Sequence, residues 1–168
     1  MCPVRLVAVD YLRVTRMECR IAIEDPRQPE VVALLAESDS HYAALYPAES
    51  NHLLDASGLA APEVSFLVVR VLGDAAGFGA LVRRDVKFGE IKRMYVVPAM
   101  RGQKLGRLLL SALEERARAD GLPCLRLETG TRQPEASALY RSAGYREIPR
   151  FGDYKPDPLS MFMEKRLT

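Results

Sequence analysis

Residues 90–113 read EIKRMYVVPAMRGQKLGRLLLSAL, and this stretch limits the fold more than any other part of the chain. Glu90 to Val97 is a β-rich run that Pro98 closes. A short loop follows, with Gly102 and Gly106 four positions apart. Leu105, Leu109, Ala112 and Leu113 then mark one face of a helix, with Glu114 and Arg118 spaced as an i,i+4 pair. Gly121 and Pro123 give that helix a stop. A strand that feeds a helix in one step excludes all-β and all-α architectures and predicts a layered domain.

The flanking sequence extends the pattern on both sides. Cys19 to Glu24 alternates as a half-buried strand, and Glu30 to Glu37 carries helical spacing through Val31, Leu34 and Leu35. Asp39 to Tyr46 reads as a second short helix stopped by Pro47, and Asn51 to Pro62 as a loop. Ser65 to Leu72 and Ala75 to Arg83 form a hairpin about Gly73-Asp74. Gly77 and Gly79 either weaken its second strand or bring another backbone close to it. Cys124 to Thr129 predicts a strand, Pro134 to about Ser142 a helix with Gly144 beyond its end, and Leu159 to Leu167 a closing strand. The whole is one α/β (α+β) domain over residues 1–168, with residues 1–18 as an extra strand or a loose arm.

The first turn of a helix leaves N–H groups unpaired, and glycine lets a ligand approach them. A loop of this kind at a helix start is a natural anion site. Charge concentrates there: from Arg83 to Arg107 eight basic residues face two acidic ones, whereas from Glu24 to Asp74 nine acidic residues face two arginines. A solvated basic face explains that charge as well, so the loop carries the argument. Arg107 and Leu108 follow Gly106, so the Lys and Ser/Thr of a nucleotide P-loop are missing. The G-x-x-x-G spacing excludes the dinucleotide fingerprint as well.

Arg101-x-x-x-x-Gly106 after Met94-Tyr95-Val96-x-Pro98 resembles the acetyl-CoA loop of the GNAT superfamily of N-acetyltransferases, whose usual form is [Q/R]-x-x-G-x-[G/A]. Leu125 to Thr129 is similar to the family's next strand, and Ala136-Ser-Ala-Leu-Tyr140-Arg-Ser-Ala-Gly144-Tyr145 to its A-x-x-LY-x-x-x-G[F/Y] helix. The clear match runs from Glu90 to Tyr145. Two positions depart from the pattern. Lys104 stands where the family has its first loop glycine, and Gln133 where it often has Asn.

The resemblance implies a mixed, mostly antiparallel central sheet flanked by helices, and acetyl-CoA as acetyl donor. It implies that the backbone of Met94, Tyr95 and Val96 pairs with the pantetheine arm and that one amide polarises the thioester. The segment Arg101, Gly102, Gln103, Lys104, Leu105, Gly106 and Arg107 would take the pyrophosphate, with Gln133 near the pantetheine. Tyr140 would be the general acid, because a phenol with an ordinary pKa of about 10 stays protonated at neutral pH. Glu128 is read equally as the base, directly or through water, and as a structural carboxylate paired with an arginine; Glu90 is a second candidate or a solvated strand end. His41, Tyr42 and Tyr154 fall in segments that would line the acceptor pocket, and Arg93 would bind an acceptor carboxylate or form an ion pair.

These features predict an enzyme that transfers acetyl directly to a primary amine of a small molecule or peptide. The alternative is a non-catalytic acyl-CoA-binding protein on the same scaffold. Cys2, Cys19 and Cys124 are too far apart for a CxxC pair, so neither a metal site nor a disulfide framework is expected. No apolar run approaches the roughly 18 residues of a membrane span, and no secretory signal is legible, so a cytoplasmic chain without a membrane partner is expected. The basic stretch lacks interleaved aromatics for stacking, so no nucleic-acid partner is expected; the resemblance leaves a homodimer open.

Overall fold

A computed structural model describes residues 18–167. Its elements run β1 (Cys19–Ile23), α1 (Pro29–Leu45), α2 (Ala56–Leu59), β2 (Val64–Val71), β3 (Asp74–Arg83), β4 (Gly89–Val96), α3 (Leu105–Ala119), β5 (Cys124–Gly130), α4 (Pro134–Ser142), β6 (Arg146–Ile148) and β7 (Ser160–Arg166). The extra strand or arm expected at the N-terminus falls, but for Glu18, outside the described residues. Seven strands form one sheet in the order β1-β2-β3-β4-β5-β7-β6. Every pair is antiparallel except β4 with β5, which α3 connects as the crossover that parallel neighbours require.

Two apolar layers cover the sheet because its strands alternate. Leu67, Leu81, Ile91, Leu125, Leu127 and Met163 pack with Leu109, Leu110 and Leu113 of α3 and Tyr140 of α4. The intervening Phe66, Val68, Phe78 and Ala80 meet Val31, Leu34 and Leu35 of α1 and Leu59 of α2. Full burial of such a side chain contributes about 1.5–3 kcal/mol.

Several local expectations are corrected. The two short helices predicted between Glu30 and Tyr46 are one helix, because Ser38 faces the core and Ser40 returns its hydroxyl to the Ala36 carbonyl at 3.1 Å. The loop expected over Asn51 to Pro62 contains α2, whose first turn Asp55 caps by accepting from the Gly58 amide at 2.7 Å. The hairpin turn sits on Leu72 and Gly73, both at positive φ, and Asp74 already belongs to β3. β6 was not expected at all. Gly77 is a close approach, as anticipated: a Cβ there would stand 2.5 Å from the Tyr95 carbonyl oxygen.

One irregularity makes room for a site. Between β3 and β4 the register slips where Phe78 pairs with Tyr95 and Ala80 with Lys92, and Arg93 in that bulge has φ 60. On the other side β4 meets β5 only from Gly89 to Ile91, opposite Leu125 to Leu127. Beyond Ile91 the two strands part, and the sheet opens between Lys92–Val96 and Glu128–Gly130.

Candidate active site

The opening leads into a broad groove of about 630 Å³. The parted end of β4, the 101–107 loop, the start of α4 and Tyr42 of α1 wall it. Lys104 is the residue before α3 and has left-handed backbone (φ 63, ψ 11), the conformation for which glycine is the usual choice. Among the described residues no side chain caps the helix, so the first-turn amides of α3 stay available beside Arg101, Lys104 and Arg107. Those donors and that charge fit a diphosphate, and the exposed edge of Met94, Tyr95 and Val96 fits an extended amide-bearing arm. Of the residues expected to hold the cofactor, only Gln103 turns away, with its amide nitrogen 3.8 Å from the Met100 sulfur.

A second, more enclosed cavity of about 100 Å³ lies deeper, lined by Tyr46, His52, Lys92, Glu128, Tyr154 and Leu159, among others. Five residues border both spaces: Tyr42, Met94, Gln133, Ala136 and Tyr140. Tyr140 projects there from α4 and is buried, which raises its phenol well above the usual tyrosine range. Tyr42 donates to the Met94 carbonyl at 2.8 Å, and burial pushes its pKa up to about 12.

Glu128 projects from β5 into the inner cavity. Burial raises its pKa, while a hydrogen bond from the Ser160 hydroxyl at 2.7 Å pulls the other way. Lys92 projects from β4 into the same space and donates to the Tyr154 hydroxyl at 2.7 Å. Desolvation lowers the Lys92 pKa. Tyr154 donates in turn to Glu90, and burial raises its own pKa.

Other residues singled out in the sequence lie elsewhere. Glu90 is no solvated strand end: it is buried, 2.6 Å from Arg84 and hydrogen-bonded by Tyr154, and it does not border the cavity. Arg93 borders the inner cavity, but its guanidinium lies buried against Asp39 of α1 and over the Phe78 ring. His41 faces the outer groove beside Tyr42 and Tyr95. Sequence reasoning missed Lys92, His52 and Arg132. Arg132 lines the groove and donates to the Leu45 carbonyl at 2.6 Å; its place beside Gln133 was the available signal.

A parted parallel strand pair with a helix N-terminus at its mouth suits the cofactor-binding arrangement that the resemblance to the GNAT superfamily implied. Residues 29–145 match the model of the Acetyltransferase (GNAT) family, and the chain belongs to that family. It is 51% identical over 148 residues to an IAA acetyltransferase of Azospirillum brasilense, covering 88% of this chain and 97% of that one. It is 31% identical over 122 residues to the aminoalkylphosphonate N-acetyltransferase of Salmonella typhimurium, covering 70% and 75%. Among solved structures, a Klebsiella pneumoniae protein assigned as an acyl-CoA N-acyltransferase superposes with a TM-score of 0.75 at 40% identity, over 91% of this chain and 99% of that one. The chain is therefore an acyltransferase, and acetyl-CoA is its donor. Among the described residues no helix is long and apolar enough to cross a membrane.

Proposed function

We propose that this enzyme moves the acetyl group directly from acetyl-CoA to a primary amine of a small molecule or peptide. The observation that carries this reading is the shared wall: Tyr140 borders both the outer groove and the inner cavity. The donor would lie in the outer groove along Met94 to Val96, with its diphosphate at the start of α3; the acceptor would enter the inner cavity.

Bound acetyl-CoA supplies an acetyl group activated as a thioester. Glu128 receives a proton from the acceptor ammonium, directly or through one water, and burial makes it a stronger base than an exposed glutamate. The freed amine forms the new C–N bond as the C–S bond breaks, and Tyr140, which burial keeps protonated at neutral pH, donates its phenolic hydrogen to the departing sulfur. The acylated nitrogen gives up its second proton to the Tyr140 oxygen, which restores the phenol, and Glu128 releases its proton to solvent. A backbone amide at the β4 opening would hold the developing oxyanion.

Direct transfer is preferred over an acetyl-cysteine route because Cys19 and Cys124 border neither cavity, and burial raises both thiols. The test follows CoA thiol release across a panel of primary amines, with mass spectrometry of the enzyme alone with acetyl-CoA. Amine-dependent release with no stable acetyl-enzyme supports the reading; accumulation of acetyl-enzyme, or no acceptor in a broad panel, overturns it.

A further inference from the structure

We infer that the acceptor carries an acidic group as well as its amine, an amino acid-like zwitterion held between Glu128 and Lys92. This deepens the reading above, in which the inner cavity receives the acceptor.

The inference starts from unmatched charge. Lys92 and Glu128 stand on neighbouring strands where β4 and β5 part, and both line the inner cavity. No salt bridge joins them among the described residues. Glu128 accepts from the Ser160 hydroxyl and has no cation within salt-bridge distance among the described residues. Lys92 donates to the Tyr154 hydroxyl and, at 3.4 Å, to the His52 carbonyl, and it lies 3.6 Å from one oxygen of Glu90, whose other oxygen Arg84 holds at 2.6 Å. Lys92 and Arg84 therefore share one carboxylate and leave one positive charge in excess at the cavity, while Glu128 faces the same space without a cation.

A buried unpaired charge is costly, and a ligand that brings its counter-charge recovers that cost. A plain amine would satisfy Glu128 and leave the excess positive charge at Lys92 and Arg84 unmatched. A zwitterion satisfies both. Its orientation follows from the charges and from the reading above: the ammonium belongs beside Glu128, the base of that reading, in the cavity that Tyr140 also lines. The acid end then falls to Lys92 and the His52 ring, with Tyr154 behind them. Arg93, read from the sequence as an acid binder or an ion-pair partner, has its charge matched by Asp39 through Nη1, while its buried Nε and Nη2 have no hydrogen-bond partner among the described residues.

The experiment compares glycine, leucine and phenylalanine with their primary amides as acceptors, by the kcat/KM ratio of acid to amide. Using the same pairs in each variant cancels the difference in amine nucleophilicity. Lys92→Met is expected to lower the ratio about tenfold or more. A second measurement uses only the wild-type enzyme: N-acetyl-leucine should inhibit about tenfold more tightly than N-acetyl-leucinamide. The inference is overturned if the ratio is the same in wild type and Lys92→Met, or if the two inhibitors bind alike. Turnover of neutral amines only would also remove it while leaving direct transfer standing; no turnover of any amine would remove both.

Discussion

A Cβ on Gly130 would stand 2.0 Å from the hydroxyl oxygen of Tyr46, so the end of β5 and the end of α1 close on each other with no space for a side chain between them. The same hydroxyl accepts the Arg132 amide at 2.9 Å, and the Arg132 guanidinium reaches back to the Leu45 carbonyl. This joint sets the segment that leads to Gln133 and α4, and hence one wall of the cofactor groove. Gly130→Ala must displace the Tyr46 ring, an overpacking cost of about 1–3 kcal/mol. We expect a lower melting temperature, by about 2–4 °C per kcal/mol, and a raised KM for acetyl-CoA. Unchanged values of both would show that the joint is slack.

Tyr140→Phe keeps the ring that packs edge-on against Tyr145 and removes only the hydroxyl at the cavity junction. Loss of a positioned proton donor typically costs about 10²-fold or more in rate. The variant should bind CoA, by calorimetry, and turn over at least about 10²-fold more slowly. A kcat within a few-fold of wild type would move the acid role to another group.

Glu128 ties activity and stability to pH in opposite senses. Burial raises its native pKa above the unfolded value. Between those two values the native state holds a proton that the unfolded chain has released, so rising pH costs stability across that window and the loss is constant above it. Glu128→Gln removes the effect: its melting temperature should match wild type below the ordinary glutamate range and exceed it on a plateau near neutral pH. Activity runs the other way. Wild-type kcat should fall as pH drops through the raised native pKa; Glu128→Gln should lose about 10²-fold above that pKa, a gap that narrows as wild type falls below it. A melting-temperature difference that does not change with pH would show that the carboxylate is not the group titrating.

The strand–loop–helix unit and α4 were legible in the sequence because local signals set them: Pro98, Gly121 and Pro134 mark their ends, and leucines repeat with the helical period. β6 was not, since three residues gain strand character only by pairing with β7. The inner cavity was hidden by the bulge. Ile91 and Tyr95 are four apart and should share a face of a regular strand, yet Ile91 packs with α3 and Tyr95 with α1. Arg93 absorbs the change at a positive φ that no arginine announces. The sequence reading weighed Arg93 as an acid binder or an ion-pair partner and passed over its neighbour Lys92, which lines the same cavity.

Lys104 replaces backbone freedom with charge, and the two effects can be separated. Its left-handed conformation costs a non-glycine residue about 1–2 kcal/mol, partly offset because glycine gives up more freedom on folding, about 0.5–1 kcal/mol. Lys104→Gly should therefore gain on the order of 0.5–1 kcal/mol, read as a rise in melting temperature of about 1–4 °C. Lys104 lines the groove with Arg101 and Arg107, so loss of its charge should weaken acetyl-CoA binding a few-fold and flatten the salt dependence of KM. Lys104→Ala divides the contributions, because it loses the charge and keeps the strain. It should show the weaker binding without the gain in stability. Equal melting temperatures for the glycine and alanine variants would mean that the loop relaxes around residue 104; equal KM values for wild type and both variants would take the lysine out of the phosphate site.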